Sequence, residues 1–255
     1  MYTPYESEKG GGCVMSSPTT PNRTGNRLLD RLPRKEYKTL LPQLDTISLA
    51  QEDEVCAQNS PLAFVYFPTN GVFSSVILME DGERIEATAI GKEGMVGVPA
   101  ILGLDFSPDT TALFVPGECL RLSVASLIQA VKPGRELDRL LRRYAAYSLG
   151  NAKQSVACNA LHSVEERMCR LLLTTQDRVG KDEFSLTHEL LSVMLGVRRQ
   201  SVSSVAGTLQ KAGFIAYRHG VMRVVDRPGL EAASCECYGV TETLYDRIMK
   251  LPPSG

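Results

Sequence analysis

Two apolar stripes of helical period meet at a single glycine, and few arrangements satisfy both. Leu186, Leu190, Leu191, Met194 and Leu195 recur at helical spacing before Gly196, and Val202, Val205, Ala206 and Leu209 recur after it. Each stripe asks for one buried face, so the segment reads as two short amphipathic helices hinged at Gly196. Thr187 is placed to cap the first helix, its hydroxyl accepting an otherwise orphaned backbone N–H. Glu189 falls in the first turn, where the helix dipole favours an anion. Arg198 and Arg199 open the second helix, where a cation opposes the dipole by about 0.3–1 kcal/mol. Folding alone gives no reason to put two arginines there, whereas a DNA phosphate or a guanine edge does.

The following stretch, residues 213–225, reads as two short strands around a turn at Arg218-His219-Gly220, which makes the pattern a winged helix-turn-helix. An ordinary helical hairpin with solvated arginines remains the alternative. Charge distribution bears on the choice. The chain is nearly neutral overall, with 28 Lys+Arg against 29 Asp+Glu, but the balance is uneven. Residues 184–227 hold six basic and two acidic side chains; residues 28–125 hold seven basic and fourteen acidic. A basic C-terminal module joined to an acidic N-terminal one suits a nucleic-acid-binding domain attached to a sensing domain.

A length of 255 residues with 43% hydrophobic content suits two packed domains. No apolar run approaches the ~20 residues needed to span a bilayer, and no secretory signal pattern opens the chain, so a cytoplasmic location with no membrane partner is expected. Seven cysteines at irregular positions suit free thiols in a reducing compartment. Residues 1–27, rich in Gly, Ser, Thr, Pro and Asn, are expected to form a disordered tail. From residue 28 to 125 the pattern is mostly β. Phe64 to Phe67 is a strand stopped by Pro68, Val72 to Met79 a second, Asp81-Gly82 a hairpin turn, and Arg84 to Ile90 a third strand. Ala112 to Val115 and Cys119 to Leu122 flank Pro116-Gly117. Short strands with this punctuation suggest a small barrel or roll. A long helix follows from about Gly134 to about Cys158. Leu137, Leu140, Leu141, Tyr144, Ala145 and Ser148 mark one face, expected to pair with a second copy rather than pack only on its own barrel.

A β-roll, a long helix and a winged helix in that order resemble the Crp/Fnr superfamily of bacterial transcription regulators from about residue 28 onward. The likeness is carried by Leu-Thr-His-Glu-Leu-Leu-Ser-Val-Met-Leu-Gly-Val-Arg-Arg-Gln-Ser-Val at 186–202 with its wing. Phe-Pro-Thr-Asn-Gly at 67–71 and Gly-Lys-Glu-Gly-Met-Val-Gly at 91–97 carry it more loosely. The resemblance implies an α+β fold: an N-terminal β-roll of double-stranded β-helix or jelly-roll type over 28–125, a linker and dimerisation helix over 126–160, and a C-terminal winged helix-turn-helix over 161–255. It also implies a homodimer joined through the long helix at Leu137, Leu141, Tyr144 and Ser148, bound to double-stranded DNA, with RNA polymerase a further candidate partner. Base reading would fall to Arg199, Gln200, Ser201 and Ser204. Arg199 fits a bidentate contact to guanine O6 and N7. Gln200 stands where the family usually has an acid, and Ser204 where its activator member has a second base-reading arginine, which implies a different recognition sequence. Thr187, Arg198, Lys211, Arg218 and His219 would hold phosphates.

Cyclic-nucleotide binding in this family uses an acid and then an arginine after the Gly-x-x-Gly turn, yet no lysine or arginine stands between Glu93 and Leu120. Burying a phosphate on backbone amides alone gives weak affinity. The effector is therefore not expected to be cyclic AMP; a neutral or apolar ligand, a protein partner, or none remains open. Cys158 and His162 lie four apart, and Cys235-Glu236-Cys237 follows the wing, so these four side chains form a set of three cysteines and one histidine if the fold joins them. Cys-x-Cys is not the usual zinc-knuckle spacing, and the expected reading is small buried residues at the junction, with no metal and no cofactor. A metal or redox sensor, or a protein-interaction module on the same fold, is the alternative function. Cys13 and Cys56 stand alone, so no N-terminal iron–sulfur cluster is expected, and three histidines in the C-terminal half give no basis for haem. No phosphate-cradling loop with its lysine, no His-Glu-x-x-His and no Gly-x-Ser-x-Gly occurs, so an enzyme is not expected.

Overall fold

The computed structural model describes residues 24–251. Of the expected tail, residues 1–23 lie outside the described residues, and residues 24–27 are ordered rather than disordered. Asn26 is the physical reason. It is fully buried; its amide donates to the carbonyls of Pro68 (2.9 Å) and Gly94 (2.8 Å), and its Oδ1 accepts from the N–H groups of Leu28 and Leu29.

After a short helix α1 (Arg34–Leu40), strands β1 (Asp45–Leu49), β2 (Glu54–Cys56), β3 (Phe64–Pro68), β4 (Val72–Leu78) and β5 (Arg84–Ile90) are followed by α2 (Val98–Ile101), β6 (Thr110–Val115) and β7 (Gly117–Ser123). They form two antiparallel sheets, ordered β1-β7-β3 and β2-β6-β4-β5. Val65, Phe67 and Leu122 from the first and Phe73, Ile90 and Leu113 from the second share one core, as the inward halves of a roll must. The Asp81-Gly82 hairpin forms as expected: Gly82 takes a φ of 86°, and the Met79 N–H donates to the Glu83 carbonyl at 2.9 Å.

Helix α3 (Val124–Ala130) leads into α4 (Glu136–Leu161), a helix of 26 residues that runs three residues past the expected end. Its apolar face is already occupied. Leu137, Leu141 and Tyr144 are 4, 2 and 2% exposed and belong to the core of their own roll, with the Tyr144 ring over Gly94, so they are not a dimer face; Ser148 is half-buried. The roll leaves apolar side chains to be covered along the line of this helix, and the helix covers them. A different line of α4 is open to solvent at Leu149 and Val156, 59 and 71% exposed, and Leu161 in the last turn is 79% exposed on another side.

The chain turns at His162-Ser163 into α5 (Val164–Val179), which starts with a capping box between Ser163 and Glu166. Strand β8 (Glu183–Ser185), helices α6 (His188–Leu195) and α7 (Arg199–Lys211), and strands β9 (Ile215–Arg218) and β10 (Val221–Val224) follow, with the strands ordered β8-β10-β9. Leu172, Leu191, Leu195, Val202, Ala206, Leu209 and Met222 form a second core, which also takes in Val72, Phe114 and Val115 from the roll. The two units share a buried seam. Across it Arg178 and Glu93 pair at 3.0 Å with side chains 12 and 9% exposed.

Helices α8 (Arg227–Ala232) and α9 (Cys237–Met249) complete the described chain. Here the structure departs from a single C-terminal unit spanning 161–255. Helix α9 returns along α4, and Tyr245 and Met249 join the core of the roll; Tyr245 meets Tyr147 edge to face at 5.1 Å and carries the Arg27 guanidinium on its ring at 4.3 Å. No described helix is long and apolar enough to cross a membrane.

Candidate nucleic-acid interface

The turn between α6 and α7 is built from local chemistry. The Thr187 hydroxyl accepts the Leu190 N–H at 3.2 Å and so caps α6. Gly196 ends that helix at a φ of 61°, with the Ile85 side chain packed where a Cβ would project. Arg167, buried on α5, donates to the Leu195 carbonyl at 3.0 Å and ties the last turn of α6 to the helix beneath. Helix α7 then presents Val202, Ala206 and Leu209 inward and leaves its other face open.

Arg198 is the N-cap of α7 and Arg199 its first residue; both are exposed, as are Gln200, Ser201 and Ser204. Neither arginine side chain has a hydrogen-bond or ion-pair partner among the described residues, so two cations stand uncompensated at the positive end of a helix dipole. Across a cleft they face the acidic tip of the β4–β5 hairpin, with Asp81, Glu83 and Glu189 among the lining residues.

The wing tip lies beside the start of α6. His219 and Gly220 take φ values of 50° and 80°, the two positive values of a type I′ turn, and the Gly220 carbonyl accepts the Leu186 N–H at 2.8 Å. Arg218 and His219 are thereby exposed next to Thr187. Lys211, also exposed, sits at the far end of α7, about 18 Å along its axis from Arg199. The structure therefore brings the Arg218-His219 wing tip beside Thr187, and leaves Lys211 at the end of α7 opposite Arg198 and Arg199.

Sequence reasoning missed His188. Its ring stacks on Tyr217 of the wing at 4.3 Å, and its Nδ1 lies 3.0 Å from Ser203 Oγ of α7, so one side chain fixes α6, α7 and the wing together. Burial, with Arg199 adding repulsion, holds the imidazole below its ordinary pKa, which keeps it neutral in that stack. A lone histidine in an apolar stripe carries no signal of such a role.

Residues 166–233 match the family model of the Crp-like helix-turn-helix domain. That segment therefore carries a Crp-like helix-turn-helix domain. Solved structures share its fold over most of its length. FixK2 from Bradyrhizobium japonicum is similar with a TM-score of 0.64 at 17% identity, covering 75% of this chain and 98% of that one. A CRP-family transcriptional regulator from Thermus thermophilus gives 0.63 at 20% identity, covering 74 and 96%. The c-di-GMP responsive global regulator CLP of Xanthomonas campestris gives 0.60 at 15%, covering 75 and 99%. No curated protein matches the chain in sequence. The chain thus joins a Crp-like helix-turn-helix domain with its wing strands to a roll and a long helix in a mixed α+β fold.

In the roll, the Gly91-Lys92-Glu93-Gly94 turn is closed by its own residues. The Gly94 N–H donates to the Gly91 carbonyl, and Glu93 Oε1 accepts both the Gly91 N–H and the Arg178 guanidinium, each at 3.0 Å. The acid of this turn is committed to an ion pair across the seam between units.

The four residues Cys158, His162, Cys235 and Cys237 are also brought together, at the junction of α4 with the α8–α9 connection, their donor atoms all within 4.8 Å of one another. Cys158 and Cys235 thiols are pushed up by burial, the latter to about 12.

Proposed function

We propose that the chain binds a two-fold symmetric DNA operator as a homodimer, with Arg199, Gln200, Ser201 and Ser204 reading bases and Thr187, Arg198, Arg218 and His219 on phosphates. Lys211 would reach a more distant phosphate. The observation that carries this reading is the pair of exposed, unpartnered arginines at the start of α7, in a unit whose wing tip also exposes Arg218 and His219. A guanidinium fork there matches guanine O6 and N7, and Gln200 prefers adenine where an acid would accept from cytosine.

The second copy would pack on the open line of α4, through Leu149 and Val156, which stand seven residues apart as a helical seam requires. This replaces the face already used by the roll. Two such helices set the two α7 helices to read half-sites about one helical turn apart. The effector is not a cyclic nucleotide in this reading: the acid of the 91–94 turn is spent on Arg178, and no cation follows it before Arg121, whose guanidinium turns to Asp45 and the ring of Phe64. A DNA partner and free buried thiols suit a cytoplasmic protein.

Binding of a labelled duplex carrying a selected operator, measured against salt, tests this. The affinity should fall steeply and log-linearly, losing slope in Arg198→Ala by about one phosphate contact. Val156→Glu should turn the dimer to monomer in sedimentation and weaken operator binding with it. A salt-independent affinity, or a Val156→Glu protein that remains dimeric, contradicts the respective half of the reading.

A further inference from the structure

The cysteine–histidine cluster at the elbow between the long helix and the DNA-binding unit is arranged as a ligand set. Cys158 lies in the last turn of α4 and His162 caps it, while Cys235 and Cys237 straddle the start of α9 from the opposite side. Cys158 Sγ and Cys235 Sγ are 3.6 Å apart, and Cys237 Sγ is 3.6 Å from His162 Nδ1. A tetrahedral zinc ion, with Zn–S about 2.3 Å and Zn–N about 2.0–2.1 Å, asks for S···S near ~3.8 Å and S···N near ~3.5 Å.

The surroundings point the same way. His162 Nε2 lies 3.0 Å from Glu236 Oε2, so that nitrogen donates to a carboxylate and leaves the Nδ1 lone pair facing the sulfurs, the orientation of a zinc-bound histidine. Gln154 Nε2 donates to Cys237 Sγ at 3.0 Å, as an amide would to a thiolate. Arg170 of α5 brings positive charge close to Cys158, and its buried Nε has no partner among the described residues. The three cysteines, all nearly or fully buried, make a cluster of their own, outside both apolar cores. Thiols kept only as small core residues would be packed among aliphatic side chains, and these are not.

We propose that Cys158, His162, Cys235 and Cys237 bind one zinc ion in a closed site of three thiolates and one imidazole that pins the end of α4 to the start of α9. Binding exchanges three thiol protons for the metal: one Zn2+ and three Cys–SH give a zinc–tris(thiolate)–imidazole of net charge minus one and three released protons. No oxidant or reductant takes part. The ion spans the His162-Ser163 elbow, so it fixes the direction in which the DNA-binding unit leaves the long helix. The proposal does not depend on the identity of the operator.

The test uses the full chain, reduced with a phosphine and purified without chelator. Elemental analysis should find one zinc per chain. The metal-free protein titrated with Co2+ should develop the strong thiolate charge-transfer and tetrahedral ligand-field bands of a site with three sulfur ligands and one nitrogen, saturating at one equivalent and bleached by Zn2+. Cys235→Ser and Cys237→Ser should each abolish those bands, and Glu236→Gln should weaken zinc about 10–100-fold while keeping them. If the serine variants fold poorly, the cobalt spectrum of the unaltered chain decides alone. Reduced protein that takes up neither metal overturns the site, as does uptake that the serine variants leave unchanged, or a Cys158–Cys235 disulfide whose reduction yields no metal binding.

Discussion

The arginines that brace the fold and those at the start of α7 meet opposite fates. Arg178 is buried against Glu93, and Arg227 is bound by Asp177, Glu231, Gln176 and the Tyr238 hydroxyl. Arg198 and Arg199 are exposed with no side-chain partner among the described residues. The first set is spent on holding the molecule together; the second is kept available. Burial disfavours the charge on Arg178, yet Glu93 more than restores it and holds the guanidinium above its ordinary pKa. The same residue type therefore carries stability in one region and, in the proposed reading, recognition in the other, and the difference is legible only from partners.

Breaking the comparison at its strongest point, Glu93→Ala should cost about 3–5 kcal/mol by chemical denaturation, because it strands a buried guanidinium. Arg199→Ala should change stability by less than ~0.5 kcal/mol, since it strands no partner and relieves the helix dipole. Equal losses from the two variants would erase the distinction.

The seam also contains an acid that should make it pH-sensitive. Burial pushes the Glu86 carboxyl up to about 7, against the opposing effects of its Ser74 hydrogen bond, Arg178 and Arg170. The folded state then keeps a proton that the unfolded chain gives up near pH 4.5. Its contribution, up to about 3 kcal/mol, is complete below that pH and is lost as pH rises through about 7. Urea denaturation at about pH 5, 6, 7 and 8 should show this decline in the native chain and a flatter profile in Glu86→Gln; parallel profiles would remove Glu86 as the cause.

The recognition end sharpens in smaller steps. Arg199→Ala should weaken operator binding by about 1–3 kcal/mol and relax discrimination at one base pair. Thr187→Ala should cost about 1 kcal/mol of stability by uncapping α6, read as a shift of the denaturation midpoint with an unchanged slope.

What the sequence disclosed follows from how local each signal is. The winged helix-turn-helix is specified by contiguous cues, two stripes, a glycine and a Thr187 cap, so its elements were readable in place. β3 through β7 were readable because each is a short apolar or alternating run with Gly or Pro at one end or in the adjoining turn. β1 and β2 were not: Ile47 and Leu49 are the only large apolar residues of β1, and the strand exists because it pairs with β7, with Ile47 opposite Cys119. The long helix shows the limit most clearly. Its periodicity located a buried face but could not say whether the cover was a second copy or its own roll, and Leu137, Leu141 and Tyr144 went to the roll. Asn26 was hidden for a similar reason, since its partners at Pro68 and Gly94 are far away in sequence. The return of α9 along α4 rests on Tyr147 and Tyr245, nearly a hundred positions apart.

The most direct test of the central claim, that α7 reads DNA through its opening arginines, is selection from a random duplex pool with the purified full-length chain and with Arg199→Ala. The account predicts enrichment of an inverted repeat, with half-sites about one helical turn apart, that collapses in the variant. A pool that stays random, or a motif that Arg199→Ala leaves unchanged, would contradict it.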